Sequence, residues 1–378
     1  MKAYVFTDKA LTSRAGQFVW LAIDTEKAVN APVVEKFPVG AWPSFYVVDP
    51  RTEKLLVRWT GGGTVEQIES LLDAGRAAWK PAGDDRSREL AAADKLNGDA
   101  RYDEAATAYG KLLAAPPPGW KDLPRVVDAY IFALLEAGRS RECAEASLRF
   151  YPVIAGGPST LSVAAAGIDC ALEIDSGAAD RAKIVAEAER NGRAALADPR
   201  VKVAVDDRSG LYLSLMAARD DVGDEAGKKA LGAEAARLLE DAATKAPTPD
   251  ARAVFDAHRL TVYLEIGEPQ RAVPMLEASE RDLPADYNPP ARLAIAYKAM
   301  KDWDKALAAS DRALAKVYGP RRLTVWKVRA DIYHETGDLA GEKKALGQAI
   351  ADAEALPAGQ RSERTIAALK TRLGKLST

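Results

Sequence analysis

The sequence predicts two parts of different fold class: an α/β domain over residues 1–80 and an all-α solenoid of helical repeats over residues 85–378. Short runs of β-branched and aromatic residues, which are typical of strands, lie mainly before residue 80. From about residue 85, helical segments rich in Ala, Leu and Arg alternate with short breaks at Gly, Pro and Asp. In this second part an aromatic residue recurs at intervals near 34 residues, which indicates structural repeats.

Composition and charge exclude several classes of protein. Of the 378 residues, 48% are hydrophobic and 29% are charged, as in globular domains. The 53 Lys and Arg against 55 Asp and Glu give a net charge of −2, which argues against electrostatic binding of nucleic acid. No run approaches the roughly 18 apolar residues of a membrane-spanning helix, so no membrane insertion is expected. No signal peptide is visible, so the chain as written is expected to be cytoplasmic, or periplasmic if a signal peptide precedes Met1.

Three runs in the first part predict strands, namely Phe18–Asp24, Ser44–Asp49 and Leu55–Trp59. The connection between the second and third runs is short enough for a hairpin. A short helical segment is expected at about 32–37. A longer helix should begin at Thr64, because Gln67 stands where a capping box requires it and apolar residues then recur at helical spacing.

Internal repeats identify the second part. Tyr263, Tyr297 and Tyr333 are 34 and 36 residues apart, and each precedes a short turn by four residues. The pattern resembles tetratricopeptide repeats, best over 85–152 and 253–355, whereas the helices over 153–250 are inferred from periodicity alone. Small residues should let paired helices approach closely, and larger side chains should fill the seams between pairs: Ala272, Ala306 and Ala330 for the first role, and the tyrosines with Leu276, Trp326 and Leu346 for the second.

The resemblance implies a groove for a protein or peptide partner, formed by the first helix of each pair. Polar residues at such first-helix positions form a mixed, mainly basic set that suits an acidic or carboxylate-ended peptide. The candidate groove residues are Asn288, Arg292, Lys298, Lys327, Asp331 and His334. The alternative interpretation of the same residues is a solvated helical face.

The first part resembles a thioredoxin-like domain over residues 1–78. The resemblance rests on the segment Gly40–Asp49 with its Trp42-Pro43 pair, on the run Phe18–Asp24, and on the turn Gly61–Gly63 before a helix. It implies a cis Pro43 that, with Trp42, holds a peptide or thiol against a strand edge. The strand and Cys-x-x-Cys motif of that family are missing, so the domain is incomplete: either they precede Met1, or the domain has repaired itself differently.

The remaining candidate sites have simpler interpretations. Cys143 and Cys170 have apolar neighbours and are expected to be small core residues rather than a redox pair. The turn Gly61–Gly63 is expected to be a tight turn rather than a phosphate cradle, since no P-loop lysine follows. His258 is expected to pack in the helices or face solvent, and two histidines cannot form a metal site by themselves. No cofactor or metal is expected.

Two functions remain open at this stage. The favoured one is a protein-interaction or scaffold protein whose repeats bind a protein or peptide, with a redox-inactive thioredoxin-like domain. The alternative is a thiol–disulfide oxidoreductase whose Cys-x-x-Cys lies upstream of Met1 and whose repeats select the substrate. Enzymatic activity is therefore uncertain, because a thiol mechanism requires a placed thiolate. Proteins that resemble this pair of domains often work in the bacterial envelope.

Overall fold

The computed structural model describes residues 5–39, 42–79 and 84–376. These residues form two compact units, one of residues 5–17 and 42–238 and the other of residues 18–39 and 239–376. The domain boundary predicted at residues 80–85 rests on the change of sequence character, and it stays a prediction.

The N-terminal elements confirm most of the predicted local structure. Helix α1 covers Lys9–Thr12, helix α2 Ala31–Lys36, strand β1 Ser44–Val48, strand β2 Leu55–Thr60 and helix α3 Val65–Trp79. The two strands form an antiparallel hairpin in which Phe45 faces Trp59. The carboxylate of Asp49 holds the connecting turn by accepting hydrogen bonds from the amide of Arg51 and the hydroxyl of Thr52.

Helix α3 begins with the predicted capping box. The amide of Thr64 donates to Oε1 of Gln67 at 2.7 Å, and the amide of Gln67 donates back to the Thr64 hydroxyl at 3.2 Å. Ile68 and Leu71 are buried on the apolar face of the helix. The connection before the helix bends at Gly61, which has a positive φ, and the carbonyl of Gly62 accepts a hydrogen bond from the indole of Trp59 at 2.9 Å.

The strand predicted over Phe18–Asp24 is wrong. Residues 19–24 have no regular secondary structure, and they belong to the second unit rather than to the unit that contains β1 and β2. Their apolar side chains are largely exposed, with Val19 86% and Leu21 77% accessible. A run of strand-forming residues needs a partner strand, and the sheet of the described residues has only β1 and β2. The thioredoxin-like fold therefore stays a prediction.

The rest of the chain consists of helices that pack mainly as consecutive pairs, and the helices inferred over 153–250 are confirmed. Their bounds are α4 Asp85–Gly98, α5 Tyr102–Ala114, α6 Leu123–Glu136, α7 Ser140–Ile154, α8 Thr160–Leu172, α9 Arg181–Ala197, α10 Val205–Asp221, α11 Glu225–Thr244, α12 Pro249–Ala253, α13 Asp256–Glu265, α14 Ala272–Asp282, α15 Asn288–Ala299, α16 Trp303–Leu314, α17 Arg321–Thr336, α18 Leu339–Glu354 and α19 Glu363–Lys375. The predicted repeat turns fall between the helices of a pair, and Gly267, Lys301 and Gly337 all adopt positive φ there.

The predicted seam residues lie where the repeats require them. Ala272, Ala306 and Ala330 are fully buried, which allows close approach of neighbouring helices. Among the larger predicted residues, Leu276 and Leu346 are fully buried, Tyr263 and Tyr297 are buried, and Trp326 and Tyr333 are half-buried. Each of the two buried tyrosines donates its hydroxyl hydrogen bond to a glutamate of a neighbouring helix, Glu240 and Glu277 respectively.

The prediction for the two cysteines is wrong in one respect. Cys143 on α7 and Cys170 on α8 are fully buried, as expected, but their sulfur atoms form a disulfide. The packing of α7 against α8 brings the two Cα atoms to 5.9 Å, within the range that a disulfide can bridge. A spacing of 27 residues matches no motif, so only the helix packing brings the thiols together.

Reduction of this disulfide should destabilise the helices that it joins. The cross-link closes a loop of 27 residues, so its removal should lower the free energy of unfolding by about 3 kcal/mol. Urea unfolding with and without a reductant measures the change. The double variant Cys143→Ala/Cys170→Ala should be insensitive to the reductant, and an unchanged unfolding midpoint in the reduced wild type would contradict the prediction.

Candidate peptide-binding surface of the C-terminal helix pairs

The six residues predicted to line a partner groove lie on the first helices of two consecutive pairs. They are Asn288, Arg292 and Lys298 on α15, and Lys327, Asp331 and His334 on α17. The two helices are neighbours, because Nζ of Lys298 lies 3.2 Å from Oε1 of Glu335 on α17. The stacking of pairs thus brings these residues into one region of the second unit.

Two of the six, Asn288 and Arg292, lie in the first turns of α15 and are half-buried. The side-chain amide of Asn288 donates to Oδ1 of Asp286 at 2.8 Å and fixes the turn before the helix. Arg292 is partly enclosed, and burial lowers the pKa of its guanidinium, although the carboxylates of Asp256 and Asp286 oppose that shift. Asp256 is fully buried, and burial raises the pKa of its carboxyl group.

The two lysines differ in their availability to a ligand. The side chain of Lys298 is 25% exposed and pairs with Glu335. Lys327 is exposed, and within the described part of the chain it makes no hydrogen bond or ion pair. Lys327 is therefore placed to meet an incoming carboxylate without first breaking an intramolecular contact.

Asp331 and His334 belong to a cluster around a buried carboxylate. Glu342, on α18, has a side chain only 1% exposed and accepts hydrogen bonds from Nε and Nη2 of Arg372 on α19, at 2.9 and 2.7 Å. Nδ1 of His334 lies 2.9 Å from the other oxygen of Glu342, while the imidazole itself is 65% exposed. Nη1 of Arg372 donates to Asp331 at 2.5 Å. The cluster fastens α19 to α17 and α18.

The charges of this cluster set the protonation of Glu342. Burial raises the pKa of its carboxyl group, but the hydrogen bonds from Arg372 and His334 and the positive charge of Arg372 outweigh burial. The pKa of Glu342 therefore lies below its ordinary value of 4.5.

A second surface of the same unit, which sequence reasoning missed, binds a turn of the chain itself. Residues 24–27 lie across the connections that precede α15, α17 and α19. Four side chains hold this segment, and we call them the edge site: Tyr287, Tyr318, Arg321 and Gln360. Successive connections lie side by side because the helix pairs stack.

The edge site contacts both side chains and backbone of the segment. The Tyr287 hydroxyl lies 2.9 and 2.8 Å from the two carboxylate oxygens of Glu26, and Nε of Arg321 donates to Oε1 of the same group at 2.9 Å. The Tyr318 hydroxyl donates to Oδ2 of Asp24 at 2.7 Å.

Backbone contacts complete the edge site. Nε2 of Gln360 donates to the carbonyl oxygens of Thr25 at 2.7 Å and Lys27 at 3.1 Å. One glycine permits the close approach of the segment and another that of helix α2, which follows it. A Cβ atom at Gly319 would collide with the carbonyl oxygen of Glu26, and one at Gly359 would collide with the carbonyl oxygen of Ala31.

Hydrogen bonds and burial at the edge site shift the pKa values of its tyrosines and of Asp24. The hydrogen bond to Asp24, with burial, raises the pKa of Tyr318 to about 12. Burial and the hydrogen bond to Glu26 also raise the pKa of Tyr287. Although burial raises the pKa of Asp24, hydrogen bonds from Tyr318 and from the amide of Glu26 lower it below its ordinary value. Neutral Tyr318 therefore donates to an ionised Asp24 at neutral pH.

One feature of the sequence signals the edge site. A Tyr-x-Pro triplet stands at the start of two consecutive first helices, as Tyr287-Asn288-Pro289 and Tyr318-Gly319-Pro320. Proline is favoured in the first turn of a helix, so the preceding tyrosine is carried on the connection in both repeats. The two rings pack edge to face, with centroids 6.3 Å apart.

The other predicted site, Trp42 and Pro43, lies at the start of β1 in the first unit. The peptide bond between them is cis, and the Trp42 side chain is 54% exposed. The amide of Gly61 donates to the carbonyl of Pro43 at 2.8 Å and extends the hairpin by one contact. A peptide-binding role for the two residues stays a prediction.

Two kinds of site are absent from the described residues. Within the ranges 5–39, 42–79 and 84–376, no group of three or more His, Cys, Asp and Glu side chains is arranged to hold a metal ion. In those same ranges, no helix has the length and apolar character needed to cross a bilayer. His258, on α13, is half-buried.

Comparisons with known proteins give similarities of shape only. No protein-family model matches the chain. No curated protein matches it either. Among solved structures, the Cut9–Hcn1 hetero-tetramer of the APC/C aligns with 82% of this chain and 55% of its own, at 16% identity and a TM-score of 0.36. The chain thus spans about half of the length of that protein.

Two further structures align at comparable levels. The TPR2AB domain of yeast Sti1 in complex with an Hsp90 peptide aligns over 79% of this chain and 100% of its own, at 14% identity and a TM-score of 0.30. The human IFIT1 dimer with a capped RNA aligns over 82% of this chain and 68% of its own, at 16% identity and a TM-score of 0.40.

Glu342 should make the stability of the C-terminal helices depend on pH. At pH 7 the variant Glu342→Gln should lower the free energy of unfolding by about 2 kcal/mol, because a neutral amide cannot replace the charge-assisted bonds to Arg372. The pKa of Glu342 is lower in the folded chain, so its contribution is present above pH 4.5 and disappears as the pH falls through the folded value.

Urea unfolding of wild type and variant between pH 7 and pH 3 checks this expectation. The matched control is Glu354→Gln, which removes a carboxylate from an ion pair with Lys370 that is about half exposed at both ends, and should have little effect. A difference between wild type and Glu342→Gln that persists unchanged at pH 3 would contradict the assigned role.

Proposed function

We propose that this chain is a protein-interaction protein whose C-terminal helix pairs bind short segments of protein partners. The observation that carries the proposal is the edge site, which holds residues 24–27 through two carboxylates and two backbone carbonyls. A surface with this combination of contacts is suited to a short polypeptide segment, because it contacts backbone and side chains together.

The polar face of the first helices gives the proposal a second support. Lys327 is exposed without an intramolecular partner among the described residues, and Lys298 is held by a single ion pair with Glu335 that is partly exposed. Such a pair contributes little and is easily exchanged for a ligand carboxylate. The groove set from Asn288 to His334 is thus proposed to bind a partner mainly through its lysines.

The N-terminal hairpin is proposed to add a second peptide-binding edge. Trp42 exposes about half of its side chain beside β1, and β1 pairs with β2 alone among the strands of the described residues. A strand can accept an extended peptide at its edge through backbone hydrogen bonds, while an adjacent aromatic side chain adds apolar contact.

The alternative of a thiol–disulfide oxidoreductase has no observation in its favour here. Thiol chemistry requires an accessible thiolate. Both cysteines of the sequence, Cys143 and Cys170, lie in one fully buried disulfide. A redox motif upstream of Met1 stays a prediction from the sequence resemblance.

Selection of peptides from a display library on the immobilised full-length chain tests the proposal. Enriched peptides are expected to bind in solution, and the variant Arg321→Gln at the edge site or Lys327→Glu in the groove should weaken that binding about tenfold. The control Lys344→Glu changes the charge of an exposed lysine on α18, a second helix, and should leave affinity unchanged. The proposal is contradicted if no peptide is enriched, or if both site variants retain full affinity.

A further inference from the structure

We infer that the edge site recognises an acidic turn of another protein, with two carboxylates two residues apart, and that residues 24–27 are an intramolecular stand-in for it. The inference rests on the proposed function for the class of ligand, and it adds the chemistry of the ligand and a means of regulating access. The partner is thus identified by a motif of the form Asp-x-Glu in a turn.

The carboxylate contacts define the two acidic positions. Glu26 is 18% exposed at its side chain and is held by the guanidinium of Arg321 and the hydroxyl of Tyr287. Asp24 is held by the hydroxyl of Tyr318. Residues 24–27 form a turn, in which the amide of Lys27 donates to the carbonyl of Asp24 at 3.3 Å. This turn places both carboxylates on the tyrosines at once. Amides at the two positions would lose the charge-assisted hydrogen bonds.

Backbone contacts hold the residue between the two acids and the residue after them. Gln360 donates to the carbonyls of Thr25 and Lys27, and these bonds do not depend on the side chains at the two positions. The absence of a Cβ atom at Gly319 lets the segment lie directly on the connection before α17. The site therefore selects a turn with acids at two positions and places little demand on the side chain of the residue between them.

The residues on either side of residues 24–27 allow this segment to leave the edge site. On one side, residues 19–23 have no regular secondary structure and carry exposed apolar side chains, such as Val19 and Leu21. On the other side, Val29 is 81% exposed, and firm burial resumes only at Ala31, which is 3% exposed. The four residues can leave the site without unpacking a hydrophobic core, whereas α2 stays attached through Ala31.

Competition within one chain should then regulate access. A tethered segment has a high effective concentration at its own site, so a partner must compete with it. Weakening the segment by Glu26→Gln should free the site, whereas altering Arg321 should damage the site for both ligands. This opposite response of two residues that contact each other distinguishes a binding site from a merely structural contact.

Fluorescence anisotropy with a labelled peptide of residues 20–31 tests the inference on the full chain. The peptide should bind the Glu26→Gln chain about tenfold more tightly than the wild type, and the double variant Glu26→Gln/Arg321→Gln should lose this gain.

A peptide with Asp24→Asn and Glu26→Gln is the matched ligand control and should bind at least about tenfold more weakly. The variant Glu26→Gln/Arg364→Gln is the matched protein control, since Arg364 on α19 is exposed and has no partner among the described residues.

A second route tests the same site without changing Arg321. Tyr318 is 40% exposed, so Tyr318→Phe removes one hydroxyl with little effect on packing, and in the Glu26→Gln background it should also weaken peptide binding. Equal binding of the acidic and amidated peptides, or no binding to any chain, would overturn the inference. If the chain binds library peptides but not the acidic one, the inference fails while the proposed function stands.

Light scattering of the eluted protein tests the other possible occupant, a second copy of the chain. The inference requires that wild type and Glu26→Gln have the same mass in solution. A wild-type dimer that Glu26→Gln converts to a monomer would assign the site to exchange between copies and would overturn the partner assignment.

Discussion

The apolar face of each helix pair can be covered only by the next pair, and the rest of the second unit depends on this constraint. Ala306, Ala309 and Ala313 on α16 are fully buried, as is Leu346 on α18. Side chains this small at the crossings hold successive pairs close together. The connections before α15, α17 and α19 then lie side by side, which is why residues far apart in sequence form one edge site.

Buried carboxylates favour one register of the packed helices. Within the first unit, Asp94 on α4 accepts from the Tyr109 hydroxyl of α5 at 2.7 Å and pairs with Arg125 of α6 at 3.0 Å. Within the second unit, Glu342 pairs with Arg372 in the same way and secures α19. Removal of one partner would leave a buried charge uncompensated, so each cluster favours one register of neighbouring helices over others.

Local features of the sequence predicted much of the fold. The capping box at Thr64, the hairpin at Asp49 and the turns after Tyr263, Tyr297 and Tyr333 depend on residues close to one another, and the structure confirms them. The features that were missed depend on distant residues. Glu26 and Tyr287 are 261 positions apart, and Cys143 and Cys170 meet only through the packing of α7 on α8.

The run Phe18–Asp24 illustrates the limit of strand propensity. Its residues favour an extended conformation, and residues 19–24 have no regular secondary structure, but no strand of the described sheet pairs with them. Propensity for strands reflects fit to a neighbouring strand more than an intrinsic preference, so the run alone could not reveal its position. Its position follows instead from Asp24 and Glu26, whose carboxylates bind the tyrosines and Arg321.

Hydrogen exchange of residues 24–30 in the wild-type chain, with and without a saturating synthetic Asp-x-Glu peptide of different mass, tests the central claim most directly. The amides of Glu26, Lys27 and Asn30 donate hydrogen bonds within the docked segment, at 2.9, 3.3 and 2.9 Å. If the peptide takes the edge site, these amides should exchange faster in its presence, because the segment has been displaced. Unchanged exchange while the peptide is bound would contradict the account, since the peptide would then occupy another surface.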